Sequence, residues 1–327
     1  MRVPCPPRLL LPAFDAARRP ATSWTARGAL LAVFVAAGAA TGCAPVDDSG
    51  GSDADTGSVH AFLRLDRISE PGRGEGGARE HASASFLRTT TGQEPHVVAR
   101  LVGAVPVLPP TGQCAPIGSD DPELALHTLS PVELLQVGDV TVLSDVARTP
   151  LVARAYPDVA HLVSGVVYTT EDIADDMTRE RVSFHVGGSG DVPELQVEVR
   201  VPVAASDVRI NGTLLASANA DRPSACAGCA QGPLAVTWAP VEPGDLFYVD
   251  VASDPGPGGV SRGTRLRCTS AGSSALLATD PSLLGGAGLI VSVHRLRTVQ
   301  FQAGGLSTGE VRLDAAVSGR VGFAPAG

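Results

Sequence analysis

The chain contains no lysine: all 25 of its basic residues are arginine. That absence excludes a P-loop lysine, a Schiff-base lysine, the Ser-x-x-Lys acylation motif and a kinase-type lysine. Aromatic residues are scarce, at 4%. The apolar run at 29–40 is too short for a membrane-spanning helix, which takes ~20 residues. A basic patch is missing as well. The 34 acidic residues outnumber the arginines and leave a net charge of −9. Such a chain repels nucleic acid, so no nucleic-acid partner is expected. Metal-binding pairs of the His-x-His or His-Glu-x-x-His type do not occur. No cofactor and no metal site are expected.

Glycine and proline are what the chain has in plenty, 37 and 26 residues. They punctuate it at a spacing of about 8–12 residues, the rhythm of short strands joined by turns. Between them, apolar residues recur with period two. Leu195, Val197, Val199 and Val201 share one parity, and Gln196, Glu198 and Arg200 the other. The same alternation runs through Val182–Val186, Leu234–Trp238, Phe247–Val251 and Val311–Val317. Weaker runs lie at 59–66, 81–88, 96–105, 138–143 and 161–168. Each reads as a strand with one buried and one wet face. The fold class is all-β.

Two short helices are expected against that background. One is 170–181, with Thr170 as cap, acids in the first turns and arginines in the last. The other is 130–135. A strand beginning at Leu289 carries Arg295 and Arg297 on its apolar parity, which predicts a bulge or a twist out of the sheet near Arg295. A domain boundary is placed near residue 205.

The N-terminus is organised differently. Arg2, Arg8, Arg18, Arg19 and Arg27 precede the apolar run, against a single acid, Asp15. That is the pattern of an export signal. The run ends at Ala40-Thr41-Gly42-Cys43, which resembles a bacterial lipobox. The resemblance implies that Cys43 is lipidated and becomes the new N-terminus, with acyl chains inserted in the membrane. Ala44 at the following position implies sorting to the outer membrane. Residues 43–58 then form a Gly/Ser/Asp-rich tether with too little apolar content to bury.

Toward the C-terminus, Leu234-Ala-Val-Thr-Trp238-Ala-Pro240 and Asp245-Leu-Phe-Tyr-Val-Asp-Val251 resemble consecutive strands of a fibronectin type III domain. The whole chain resembles bacterial lipoproteins with a tether, an N-terminal β-domain carrying a strand like Gly138 to Val142, and an Ig-like C-terminal domain. The expected organisation is a signal peptide (1–42), a flexible tether (43–58), an N-terminal β-domain (59–205) and a C-terminal Ig-like β-sandwich (206–327). Both domains are expected to be sandwich-like.

Of the six cysteines, four remain once Cys5 of the expected signal peptide and Cys43 are set aside: Cys114, Cys226, Cys229 and Cys268. An even number in an exported chain predicts two disulfides, with three connectivities open. Cys268 is expected to pair with one member of the Cys226-Ala-Gly-Cys229 motif. That motif has the spacing of a redox site but lies in a polar loop, away from the helix N-terminus that lowers a thiol pKa. The seven histidines, His60, His81, His96, His127, His161, His185 and His294, read as surface residues. Gly187-Gly-Ser189-Gly-Asp191 lacks the flanking glycine of a nucleophile elbow and reads as a turn, as does Asn211-Gly-Thr213. The acids of 171–176 read as a solvated turn.

These readings point to a lipid-anchored envelope protein that is not an enzyme. Its expected role is a binding or adhesion module whose loops at 217–232 and 252–264 contact an envelope protein or a surface polymer. A structural envelope component is the alternative, and a secreted hydrolase the third reading.

Overall fold

Where one parity of the sequence is apolar, the chain forms a strand. The computed structural model describes residues 57–70, 78–117, 131–145, 147–156, 162–171, 173–175, 180–217, 224–226, 229, 232–239, 244–254, 265–270, 272–277 and 288–323. The expected leader and most of the tether lie outside them.

Before residue 205 come β1 (Ser58–Ser69), β2 (Ala78–Thr89), helix α1 (Pro95–Leu101), β3 (Cys114–Pro116), β4 (Val132–Leu134) and β5 (Val140–Leu143). Then follow β6 (Arg148–Ala155), β7 (Val163–Thr169), β8 (Ile173–Asp175), β9 (Arg181–Val186) and β10 (Leu195–Arg200). After it come β11 (Arg209–Ile210), β12 (Thr213–Leu214), β13 (Ala216–Ser217), β14 (Ser224–Cys226) and β15 (Leu234–Thr237). The last are β16 (Leu246–Asp254), β17 (Leu266–Ser270), β18 (Ser274–Leu277), β19 (Gly288–Phe301) and β20 (Thr308–Phe323). The fold is all-β with one short helix among the described residues.

Hydrogen-bonded neighbours run β10-β9-β5-β6-β7-β4-β2-β1-β20-β19-β16-β17-β3, and a second sheet runs β12-β11-β15-β18. The first and last described strands lie side by side. β1 pairs in parallel with β20 from His60↔Thr308 to Ser69↔Val317. Residues 52–327 form one compact unit, and the large sheet takes strands from both sides of position 205.

The buried apolar side chains nevertheless gather in two main clusters that change over at that position. The first ends its N-terminal run at Val201, and the second begins at Ala205. The first draws on β1, β2, β5, β9 and β10, the second on β11, β15, β16, β18 and β19. β20 serves both, giving Val311 and Leu313 to one and Val317 and Val321 to the other.

Four local expectations are corrected. Residues 96–105 are not a strand but α1 and its exit. Pro95 occupies the first turn, where its missing N–H costs no bond. Val98, Ala99 and Val102 then bury at helical spacing against Phe62, Leu87 and Leu134. Residues 130–135 are not helical. Val132 and Leu134 are buried and Glu133 points out to Arg88 at 2.6 Å, which is strand alternation. β4 fits beside β7 because Gly165, at φ 123°, faces Leu134 where a Cβ would overlap the Leu134 carbonyl.

The segment 170–181 contains β8, which pairs with β2, and ends in β9; residues 172 and 176–179 lie outside the described set. Thr170 caps no helix. Its backbone N–H bonds to the Ala82 carbonyl, and its hydroxyl accepts from the Ala82 N–H, both at 2.9 Å. Finally, β19 has no bulge at Arg295. Its register with β20 is unbroken from Gly288↔Gly322 to Phe301↔Gly309.

Candidate functional site

On β1, β16, β17, β19 and β20 one parity supplies the apolar clusters. The other parity carries charge. Tyr248 and His294 are cross-strand partners, and their rings stack at 4.2 Å between centroids, 11° apart. The Tyr248 hydroxyl donates to Asp314, and His294 Nδ1 lies 3.0 Å from Asp314 Oδ1. Arg267 grips both oxygens of Asp250 at 2.7 Å and lies 4.7 Å from the centre of the Tyr248 ring. Arg64 bonds Asp66 at 2.7 Å.

Burial sets the proton inventory of this group. It pushes the Tyr248 phenol far above its ordinary value, aided by the Asp314 charge. Burial also works against the Asp314 carboxylate. The His294 hydrogen bond and charge, the Tyr248 hydroxyl and Arg64 outweigh it and hold Asp314 below the usual range. For Asp66 the balance falls the other way: burial raises its carboxyl more than Arg64 lowers it. Tyr248 is thus fixed as a donor and Asp314 as an acceptor. Their partners are one another, and Tyr248 is only 1% exposed. A Tyr-His-Asp set can move protons when a substrate reaches it. Here the network closes on itself.

A second polar knot replaces the expected bulge. Leu289, Val291 and Val293 face the second cluster, and Arg295 follows on the same parity, buried. Asp245 meets it there, with Arg295 Nε at 2.5 Å and Arg297 Nε and Nη2 each at 2.9 Å. Burial tends to raise the Asp245 carboxyl, but bonds from Arg297 and Arg295 hold it below its ordinary value. The two arginines on an apolar parity were the visible signal. They called for a buried acid, and a bulge was the weaker inference.

The described cysteines form two pairs. Cys114 joins Cys268, correcting the expected link from Cys268 to the Cys226-x-x-Cys229 motif. The reason is register: β3 pairs with β17 and sets Cys114 directly across from Cys268. Cys226 joins Cys229. β14, which carries Cys226, lies along the end of β20, and both motif cysteines sink into the second cluster, at 1% and 0% exposure. Cys43 lies outside the described residues, as do most of the expected contact loops at 217–232 and 252–264.

Two histidines depart from the surface reading. His60 is buried between Thr308, 2.7 Å away, and Thr89, at 3.1 Å. Burial, then His96, lowers its pKa. His294 belongs to the Asp314 network. His185 sits 3.1 Å from Glu194 on a wetter face, and His81 3.0 Å from Thr169. His96 stands edge-on to Phe62. His127 and His161 lie outside the described residues. The Ser189 segment is the β9–β10 turn, with Ser189 N–H bonded to the Val192 carbonyl at 2.6 Å. Asn211 and Gly212, at φ 47° and 81°, form the two-residue turn between β11 and β12.

A pocket of about 300 Å³ is lined by Asp139, Val140, Thr141, Arg148, Pro150 and Leu151, with Thr141 across the ladder from His185. Compared with protein-family models and with curated proteins, the chain matches none.

Proposed function

We propose that this is a lipid-anchored cell-envelope protein that binds a partner without catalysis. Cys43 carries the acyl chains, the tether holds the body off the membrane, and the outer membrane is the destination. An envelope protein or a surface polymer is the partner. The observation that carries the reading is the closure of the polar networks. Tyr248, His294 and Asp314 have the chemistry of a proton-transfer set, yet they are bonded to one another within the sheet. A rigid body whose reactive groups are bound internally suits presentation rather than turnover.

Sandwich-like domains fit this role. Each main cluster collects side chains from two groups of strands, as facing sheets do. Trp238, 4% exposed and stacked on Phe247 at 5.4 Å, supports the fibronectin-like likeness of the C-terminal part.

Two measurements test the proposal. The intact mass of the natively expressed, detergent-extracted chain should equal the sequence from Cys43 plus acyl chains, less four hydrogens for two disulfides. The same chain, used as bait on solubilised envelope, should retain a partner protein or polymer. A mass without lipid, or a bait that retains nothing, contradicts it.

A further inference from the structure

β6 changes neighbours halfway along. Its last pair with β5 is Leu151↔Val140, and from Val152 it pairs with β7. The chain ahead of β5 has turned away by then. Gly138 sits at φ 74°, and the Asp139 carbonyl is held by the Gly187 N–H at 2.7 Å.

Successive residues of an antiparallel strand aim their N–H and C=O groups at opposite neighbours. Ser144 N–H bonds to the Ala147 carbonyl, ahead of β6 on the β5 side, at 2.9 Å. Tyr156 N–H bonds to Gly165 on the β7 side, also at 2.9 Å. Odd-numbered residues of β6 therefore bond toward β5 and even-numbered ones toward β7. Ala153 and Ala155 continue the odd row, and no described strand stands opposite them. Val152 is 53% exposed, and Ala153, Arg154 and Ala155 are exposed too.

Sheet edges are normally blunted by charge, proline or brevity. β10, at one end of the large sheet, has the pairs Arg181–Glu198 and Arg200–Glu180 beside it. β3, at the other, is three residues long, ends in proline and is tied by a disulfide. The open half of β6 has small side chains and a single charge.

We infer that residues 152–155 are a strand-addition site for an extended, acidic segment of a partner protein. The inference rests on the binding role proposed above and gives it a location. The guest strand lies antiparallel to β6, in the line that β5 vacates, and bonds to Ala153 and Ala155. Arg154 spends its own backbone bonds on β7. Toward the guest it therefore forms the closer type of pair, in which facing side chains meet. A carboxylate there is stabilising and a like charge is not.

That contrast disfavours a second copy as guest. Two-fold pairing of Ala153 with Ala155 sets Arg154 against Arg154. Pairing Ala153 with itself relieves the charge but calls on Leu151, already bonded to Val140. In either of these registers a second copy satisfies the backbone or the charge, not both.

The test uses the purified full chain and a fluorescein-labelled peptide, Val-Thr-Val-Glu-Val-Thr-Val, with a control carrying Lys for Glu. The glutamate peptide should bind at least tenfold more tightly and slow amide exchange at Ala153 and Ala155. Arg154→Glu should reverse the preference. Ala153→Pro removes one edge donor without touching a β7 bond, and should cost at least tenfold in affinity with an unchanged circular dichroism spectrum. No binding by the glutamate peptide, or a preference indifferent to Arg154→Glu, overturns the inference. So does a concentration-dependent dimer that Ala153→Pro abolishes, which would make a second copy the occupant. Envelope partners captured equally by the parent and Ala153→Pro chains overturn this site and leave the binding role standing. Peptide binding without any captured partner does the reverse.

Discussion

Asp245 balances two arginines, and its removal would take this carboxylate from the buried Arg295. Arg295 and Asp245 have side chains 8% and 6% exposed. Breaking a buried pair from one side costs about 3–5 kcal/mol, because the remaining charge stays desolvated. Asp245→Asn should therefore destabilise the chain by about 3 kcal/mol at pH 7. The pH dependence follows from the depressed carboxyl. Its folded pKa lies below the unfolded value of about 3.9. The stabilisation is thus fully present above that unfolded value and is lost as pH falls through the folded one. Urea midpoints of parent and variant should differ widely at pH 7 and converge in acid. A gap of equal size at both ends would show that the carboxylate charge is not what Asp245 contributes.

At the scale of the element, the two disulfides are expected to contribute unequally. Cys114–Cys268 spans 154 positions and fastens β3, a strand of three residues, to β17. On the chain-entropy account its loss, as Cys114→Ala with Cys268→Ala, costs about 4–5 kcal/mol. Cys226–Cys229 spans 3 positions, and its loss costs about 2 kcal/mol on the same account. Thermal midpoints of the two double variants rank them; the reverse order would contradict the loop-length argument.

The strands were legible because period two survives wherever one face is buried, as in Leu195–Val201 and Val311–Val317. Residues 96–105 misled because Val97, Val98 and Val102 suit a strand locally, and only Pro95 and the waiting surface of Phe62 and Leu87 favour a helix. Residues 170–181 misled in the opposite sense, since their charge pattern suits a helix while the edge of β2 offers pairing. The Tyr248, His294 and Asp314 network was not legible. Its members are 46 and 20 positions apart, and each looks like an ordinary wet-face residue until β16, β19 and β20 are aligned. The Cys114–Cys268 pair was hidden for the same reason, because no local pattern shows that β3 edges β17.

For the whole molecule, the pairing of its first and last strands has a mechanical meaning. β1 and β20 run in the same direction, so the chain enters the pair at His60 and leaves it at Val317, at opposite ends of the ladder. Tension applied through the two termini pulls these strands past each other and loads their bonds together, in shear. A hairpin pulled at its open end yields one rung at a time. Forced unfolding is governed by the barrier to leaving the native state, not by equilibrium stability. Stretched from its ends in an optical trap, the body should hold to a single high-force rupture rather than peel in small steps. Pulled between the start of β1 and the end of β20, the parallel pair acts as a clasp that must break as a whole before the sheet can open.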